Sequence, residues 1–399
     1  MGDRRNLSGL LAGPSRRTPH ELYYRVSSKS MGKRELLLIA AFAVVGAIVY
    51  QFTAQPPAPG EASFSFGQIV ENIRRGVRGN RASAEATTTT THPVDAAITE
   101  LRLNLPRGEI TVAGEDRDTI EAELYVRSNG FDEAEAQRLV KESLFKVDRA
   151  GTSLLTTVHF PQAGSQRARL LLKVPARLQL RLGGTSGPLM VSNVASVELG
   201  SSRGETSISR IQGRVSGMQR SGEIAVVDSG SLKLTTVGSD VRLERISGEA
   251  TLNMRSGELK ASEIGGPIDL DTTGTDVQLE KLEKTTGILR ITATSGELSV
   301  KGLRTEGRID VRNARVEAVI DRAAPLAIYS EGGSPVELTP PAGGYQLDAV
   351  ASDSSITLPA GTLQVTNTGQ ERRATGPVGG GGPTITIRTT RGNITVRSR

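Results

Sequence analysis

Cysteine and tryptophan are absent from the 399 residues, and histidine occurs three times. The lack of cysteine removes disulfides, thiolate metal sites and cysteine nucleophiles together. Aromatic residues make up 3% of the chain. The core must therefore be built from Val, Leu, Ile and Ala, and a surface of rings for stacking sugars has little material. His20, His92 and His159 cannot share a site by local spacing. His159, in TTVHFP, reads as a strand residue, and no nucleophile-elbow pattern accompanies it. Neither a strand-GxGxxG-helix nor a GxxxxGK[ST] arrangement occurs, so no nucleotide cofactor is expected.

The net charge of +6 is equally uneven. Eight Lys and Arg in residues 1–34 face only Asp3 and Glu21, which accounts for the whole excess. The remainder is neutral overall and has no cationic field for nucleic acid.

After this basic tail (1–34) comes the one long apolar run, LLLIAAFAVVGAIVYQF, at 36–52. With its uncharged continuation it supports a transmembrane helix over 35–54, near the roughly 20 residues a span needs. Basic residues crowd the near side, whereas the first on the far side are Arg74 and Arg75. That asymmetry places the N-terminus in the cytoplasm and the body outside the cytoplasmic membrane. The long tail, and Phe52 where cleavage needs a small residue, speak against a removed signal peptide. The lipid bilayer is thus the first expected partner. Residues 55–97 read as a Pro/Thr-rich linker. Within it Phe66, Ile69, Ile73 and Val77 follow helical spacing beside Arg74, Arg75, Arg78 and Arg81, so an interfacial helix and an irregular linker both remain open. ASAEATTTTTHP, at 82–93, reads as a low-complexity spacer.

From 98 the periodicity becomes two, which predicts strands. A strand-helix-strand opening covers 98–182, its helix expected over 131–147 with Asp132 as N-cap and Ala136, Leu139, Val140 and Leu144 as the apolar face. A regular repeat follows over 183–320. Its copies include GETSISRI, GEIAVVDS, SDVRLERI, GELKASEI, TDVQLEKL and GELSVKGL, and their acids recur at spacings of 18, 17, 18, 18 and 21. A second short strand opened by Gly lies between successive copies. Units of about 18 residues cannot bury an apolar face alone and must stack. The chain is therefore expected to be mainly β: a β-solenoid with one short helix near its start. An antiparallel meander or sandwich is the alternative. Residues 321–399 read as looser coils and a cap, with a disordered loop at 369–383.

The series Gly-Glu/Asp-Val/Leu-x-Leu-x-x-Ile-x-Gly over about 100–399 resembles the bacterial β-strand-repeat adhesin family known as the domain of unknown function DUF4097. The resemblance implies a membrane-anchored β-repeat protein without established catalytic residues.

Chemistry rests on the repeated acid. If coils stack in register, Glu205, Glu223, Asp240, Glu258, Asp276 and Glu297 form a column about 4.8 Å apart. Such a column is either solvated or able to attract Ca²⁺. The Asp-rich group Asp269, Asp271 and Asp276 resembles the acid clusters of β-helix glycan-active enzymes. The expected function is non-catalytic: an envelope interaction or scaffold module contacting a protein or polymer, with no cofactor and no nucleic acid. A polymerising scaffold, stacked end to end, is the alternative, and a glycan-active enzyme is the remoter one.

Overall fold

The computed structural model describes residues 82–105, 107–162 and 166–398. The basic tail, the expected span over 35–54 and the candidate interfacial helix lie outside the described residues. Among the described residues no helix is long and apolar enough to cross a membrane.

The repeat folds as a parallel β-solenoid. Each coil contributes one strand to each of two stacks, with the apolar residues of both turned to a shared core. In the first stack, Ile224 pairs with Val241, Val241 with Leu259, Leu259 with Val277 and Val277 with Leu298, all in parallel. In the second, Leu232 pairs with Ala250, Ala250 with Ile268, Ile268 with Leu289 and Leu289 with Gly307. Parallel pairing over one whole period excludes the antiparallel meander. It also makes each apolar residue lie on its counterpart in the neighbouring coil, which is why period-two sequences become fully buried rows. Leu259, Ile264, Val277, Leu289 and Ile291 are at most 1% exposed. The longest spacing, from Asp276 to Glu297, is explained by a single 3₁₀ turn, Leu282–Lys284, which bulges out without disturbing the pairing on either side.

The corner between the two strands of a coil explains the recurring Ser-Gly-Glu. In RSGELK, Ser256 has φ 60° and Gly257 has φ 115°. A Cβ at Gly257 would lie 2.2 Å from the Ser239 carbonyl oxygen of the coil beneath. At Gly222 it would lie 2.3 Å from the Gly204 carbonyl oxygen. Glycine is therefore demanded twice, by the backbone angle and by direct backbone-on-backbone contact.

Both ends of the rod are interleaved. Glu100–Asn104 lies between Ser153–His159 and Gln179–Leu182, so the first coil of the chain is second in space. Thr384–Thr390 lies between Leu326–Glu331 and Tyr345–Ser352, so the last coil of the chain is slotted between two earlier ones. Antiparallel strands then cover the ends. Thr119–Gly130 and Ala82–Pro93 close one stack, and Leu144–Ala150 closes the other. At the far end, Glu371–Val378 and Thr366–Thr368 form the cover.

Three expectations need correction here. The Thr-rich segment 82–93 is a strand, paired residue for residue with Thr119–Gly130. β-Branched Thr suits an extended chain, and an edge strand does not require apolar alternation. The helix is Glu133–Lys141, shorter than 131–147. Asp132 caps it by accepting from the Glu135 N–H at 2.8 Å, and Glu135 accepts in return from the Phe131 N–H at 2.6 Å. Its Ala136, Leu139 and Val140 are buried. At its end the Ser143 hydroxyl donates to the Leu139 carbonyl at 2.8 Å, and Leu144 starts a strand paired with Ser153–His159. Leu144 is accordingly exposed rather than part of the helical face. Finally, the loop expected at 369–383 contains the strand Glu371–Val378, whose Ala374 is fully buried against Tyr345–Ser352. A tight turn at Gly369–Gln370 precedes that strand, and residues 379–383 return the chain to its inserted last coil.

Replacing Gly257 with Ala is expected to lower stability by about 2–4 kcal/mol through strain and steric overlap. Gly151→Ala, where no atom lies within 4 Å of the new Cβ, tests the angle alone and should cost about 1 kcal/mol. Urea unfolding midpoints of the two variants check the difference.

Candidate functional site

The structure brings the six predicted acids into one column. Glu223 pairs with Asp240 and Glu258 with Asp276, and the flanking register places Glu205 and Glu297 at the same level of their coils. The carboxylates do not converge, however. The two short Asp side chains turn onto the backbone of the next coil: the Glu258 N–H donates to Asp240 Oδ1 at 3.0 Å, and the Glu297 N–H donates to Asp276 Oδ1 at 2.9 Å. These bonds extend the ladder across the corner, where the strand itself turns away. The longer Glu258 meets Lys260 at 2.8 Å and accepts from the Gln278 amide at 3.3 Å. Glu297 lies 3.7 Å from Arg315, which occupies the same level of the following coil and ends the acidic run. Glu205 and Glu223 are exposed. Among the described residues, no group of three or more His, Asp or Glu is arranged to hold a metal ion.

A second column escaped sequence reasoning. Asn193, Arg210, Asp228, Arg245, Glu263 and Lys281 all have φ between 53° and 58°, a left-handed conformation that non-glycine residues seldom adopt. They mark the opposite corner of successive coils. Their side chains alternate in sign from Arg210 onward, apart from the Asn at the start. Arg245 donates from Nε to Asp228 Oδ1 at 2.6 Å and also meets Glu244. Lys281 lies 3.6 Å from Glu263. The Arg245 guanidinium, chiefly through its hydrogen bond, holds the Asp228 carboxyl below the usual carboxylate range. The same 17–18-residue spacing that marks the acids marks these residues too, but nothing in their types announces a shared backbone angle.

The candidate enzyme cluster does not assemble. Asp269 and Asp271 lie on the outward face of the second stack, level with Arg290 and Thr292. Asp276 follows the corner and belongs to the first stack. Asp271 accepts from the Asn253 amide at 3.4 Å. His159 ends an exterior strand opposite Leu144 and is exposed.

Two tighter polar groups sit farther along the second stack. Arg308 grips Asp310 through two bonds of 2.7 and 2.9 Å while its guanidinium lies 4.8 Å from the centre of the Tyr329 ring. On the inserted last coil, Arg388 donates to Asp348 at 2.5 Å, the Thr375 hydroxyl adds a bond of 3.1 Å, and Arg373 approaches at 3.5 Å. Arg388 is the main reason the Asp348 carboxyl titrates lower than usual, with burial opposing it.

A family model described as Toastrack DUF4097 matches residues 98–314. The chain is also similar to three crystal structures. A candidate cell adhesion protein from Clostridium sporogenes is 9% identical, with 79% of this chain and 100% of that one covered and a TM-score of 0.21. A candidate adhesin from Parabacteroides distasonis is 13% identical, with 79% and 97% covered and a TM-score of 0.28. A candidate adhesin from Bacteroides fragilis is 10% identical, with 78% and 97% covered and a TM-score of 0.22. No curated protein matches the chain.

Asp276→Ala should cost about 1 kcal/mol through the lost bond to the Glu297 N–H, whereas Glu223→Ala should stay within about 0.5 kcal/mol. Because lysine, arginine and backbone groups already occupy most of the column, millimolar Ca²⁺ or a chelator should leave the melting temperature unchanged. Scanning calorimetry measures both. Asp348 has a lowered folded pKa, so its contribution is complete above the ordinary carboxylate value of about 3.9 and is lost as pH falls toward the lowered one. The stability gap between the wild type and Asp348→Asn should accordingly shrink as pH drops below about 4.

Proposed function

The chain belongs to the Toastrack DUF4097 family, and from that membership we propose that it is a non-catalytic interaction module, held at the cytoplasmic membrane by the span 35–54 with its solenoid on the outer side. The observation that carries this reading is the character of the outward faces. At several points residues of opposite sign that leave the core link neighbouring coils: Arg181 with Glu198 at 2.6 Å, Lys301 with Glu280 at 3.6 Å, and Arg312 with Glu331 at 3.0 Å. Exposed pairs of this kind contribute only about 0–1 kcal/mol each to stability. Their regular arrangement is better understood as a presented surface: flat, polar and able to meet a protein or polymer through many directional contacts.

The caps at both ends favour this reading over a polymerising scaffold. End-to-end stacking needs a bare parallel edge of matching width, and antiparallel strands cover that edge on both stacks at one end and on the Tyr345–Ser352 stack at the other. The positions of Asp269, Asp271 and Asp276 on two different stacks likewise favour contact over glycan cleavage.

In intact cells, a reporter fused after residue 399 should be active only on the outer side of the membrane. Activity on the cytoplasmic side would refute the topology. Crosslinking from intact cells should capture a defined envelope component, and the yield should fall when Arg181, Lys301 and Arg312 are replaced together by Glu. An unchanged pattern would count against the charged faces as the contact surface.

A further inference from the structure

At one corner of the rod, the starts of Glu109–Glu115, Gln166–Pro175 and Leu189–Ser192 surround a groove of about 680 Å³. Arg107, Arg167 and Arg169 are among the residues that line it, with Glu109 as the single acid. Arg169 Nε donates to that carboxylate at 2.8 Å and neutralises it. Arg107 and Arg167 are exposed and, among the described residues, meet no acid. The groove therefore keeps two uncompensated positive charges within a body that is neutral overall.

The groove also holds an unsatisfied amide. Gln166 lines it, and both Oε1 and Nε2 are shut away from solvent without a hydrogen-bond partner. Sheltered polar atoms are almost always paired, and leaving one unpaired costs about 1–3 kcal/mol. Tyr125 forms part of the wall, its hydroxyl engaged by Glu85. The rim includes bare backbone at Gly108 and Gly187, where a Cβ on Gly187 would lie 2.3 Å from the Gly108 carbonyl oxygen.

We propose that this groove binds an acidic saccharide unit, a hydroxyl-rich ring bearing a carboxylate or a phosphate ester. The planar forks of Arg107 and Arg167 match either oxyanion through paired N–H donors. Rotation of the sheltered Gln166 side chain into the groove would offer a donor and an acceptor together, which suits ring hydroxyls, and Tyr125 adds an aromatic residue to the wall. The volume suits a ligand of one or two rings. The inference rests on the interaction-module reading and supplies it with a ligand class.

Calorimetric titration of the full chain with glucuronate, glucose 6-phosphate and glucose tests it. One of the two acids should bind at least about tenfold more tightly than glucose, and whichever does so identifies the oxyanion. Arg107→Gln combined with Arg167→Gln should weaken that binding by about tenfold with an unchanged melting temperature. If that double variant fails to fold, Glu109→Gln interrogates the same site in the opposite sense: it frees Arg169 and should tighten binding about threefold. The proposal is overturned if neither acid binds better than glucose, if the double variant binds like the wild type, or if Glu109→Gln has no effect. Loss of probe binding while envelope crosslinks persist would remove the groove and leave the contact-surface reading intact.

Discussion

The close approach of one backbone corner to the corner beneath it is the constraint on which the rest depends. At Gly257 and Gly222 the coils touch main chain to main chain, with no room even for a Cβ. This contact holds successive strands at hydrogen-bonding distance along both stacks. It also puts Leu259 over Val241 and under Val277, so a core with few rings is filled by aligned rows of branched aliphatic side chains. Asp240 and Asp276 carry the hydrogen bonding across the same corner with their side chains. The recurrent acid is thus in part a structural device, and the functional weight shifts to the faces and to the groove lined by Arg107 and Arg167.

Much of the architecture was legible in the sequence because a solenoid repeats its instructions locally. Gly257, Glu258, Leu259 and Ala261 recur with a period near 18, and that period alone implies coils of equal length in register. What stayed hidden depends on contacts distant in sequence. Thr87 to Thr91 carry no apolar alternation, and their strand exists because Thr119–Gly130 offers an open edge. The pairing of Ala374 with Ala349 depends on a coil that must be covered, which the Gly-rich surroundings disguised as disorder. The ladder from Arg210 to Lys281 shares a backbone angle rather than a residue type. The basic groove joins Arg107 to Arg167, residues that only the interleaved first coils bring together.

The distribution of charge follows the same division of labour. Interior rows are mainly aliphatic, so specificity of folding comes chiefly from register, with a few buried polar residues such as Gln219 tying the backbone of neighbouring segments. Exterior rows have freedom to vary, because an exposed ion pair contributes little to stability. A surface of that kind can change its partner without endangering the rod. The Arg308 guanidinium over Tyr329 shows the limit of this freedom: one of the few outward rings is already occupied by a neighbour in its own sheet.

The slotting of the last coil between two earlier ones bears on how the rod responds to load. A coil at the end of an ordinary stack can be peeled away one hydrogen bond at a time. Thr384–Thr390 is instead clamped by ladders on both flanks, to Leu326–Glu331 and to Tyr345–Ser352. Traction from the C-terminal side must first withdraw Ile394–Val396 from between Val336–Thr339 and Ile356–Thr357, and then Thr384–Thr390 from between its own two neighbours, shearing a pair of ladders each time. Anything bound near that end would pull against a mechanical lock instead of a fraying edge.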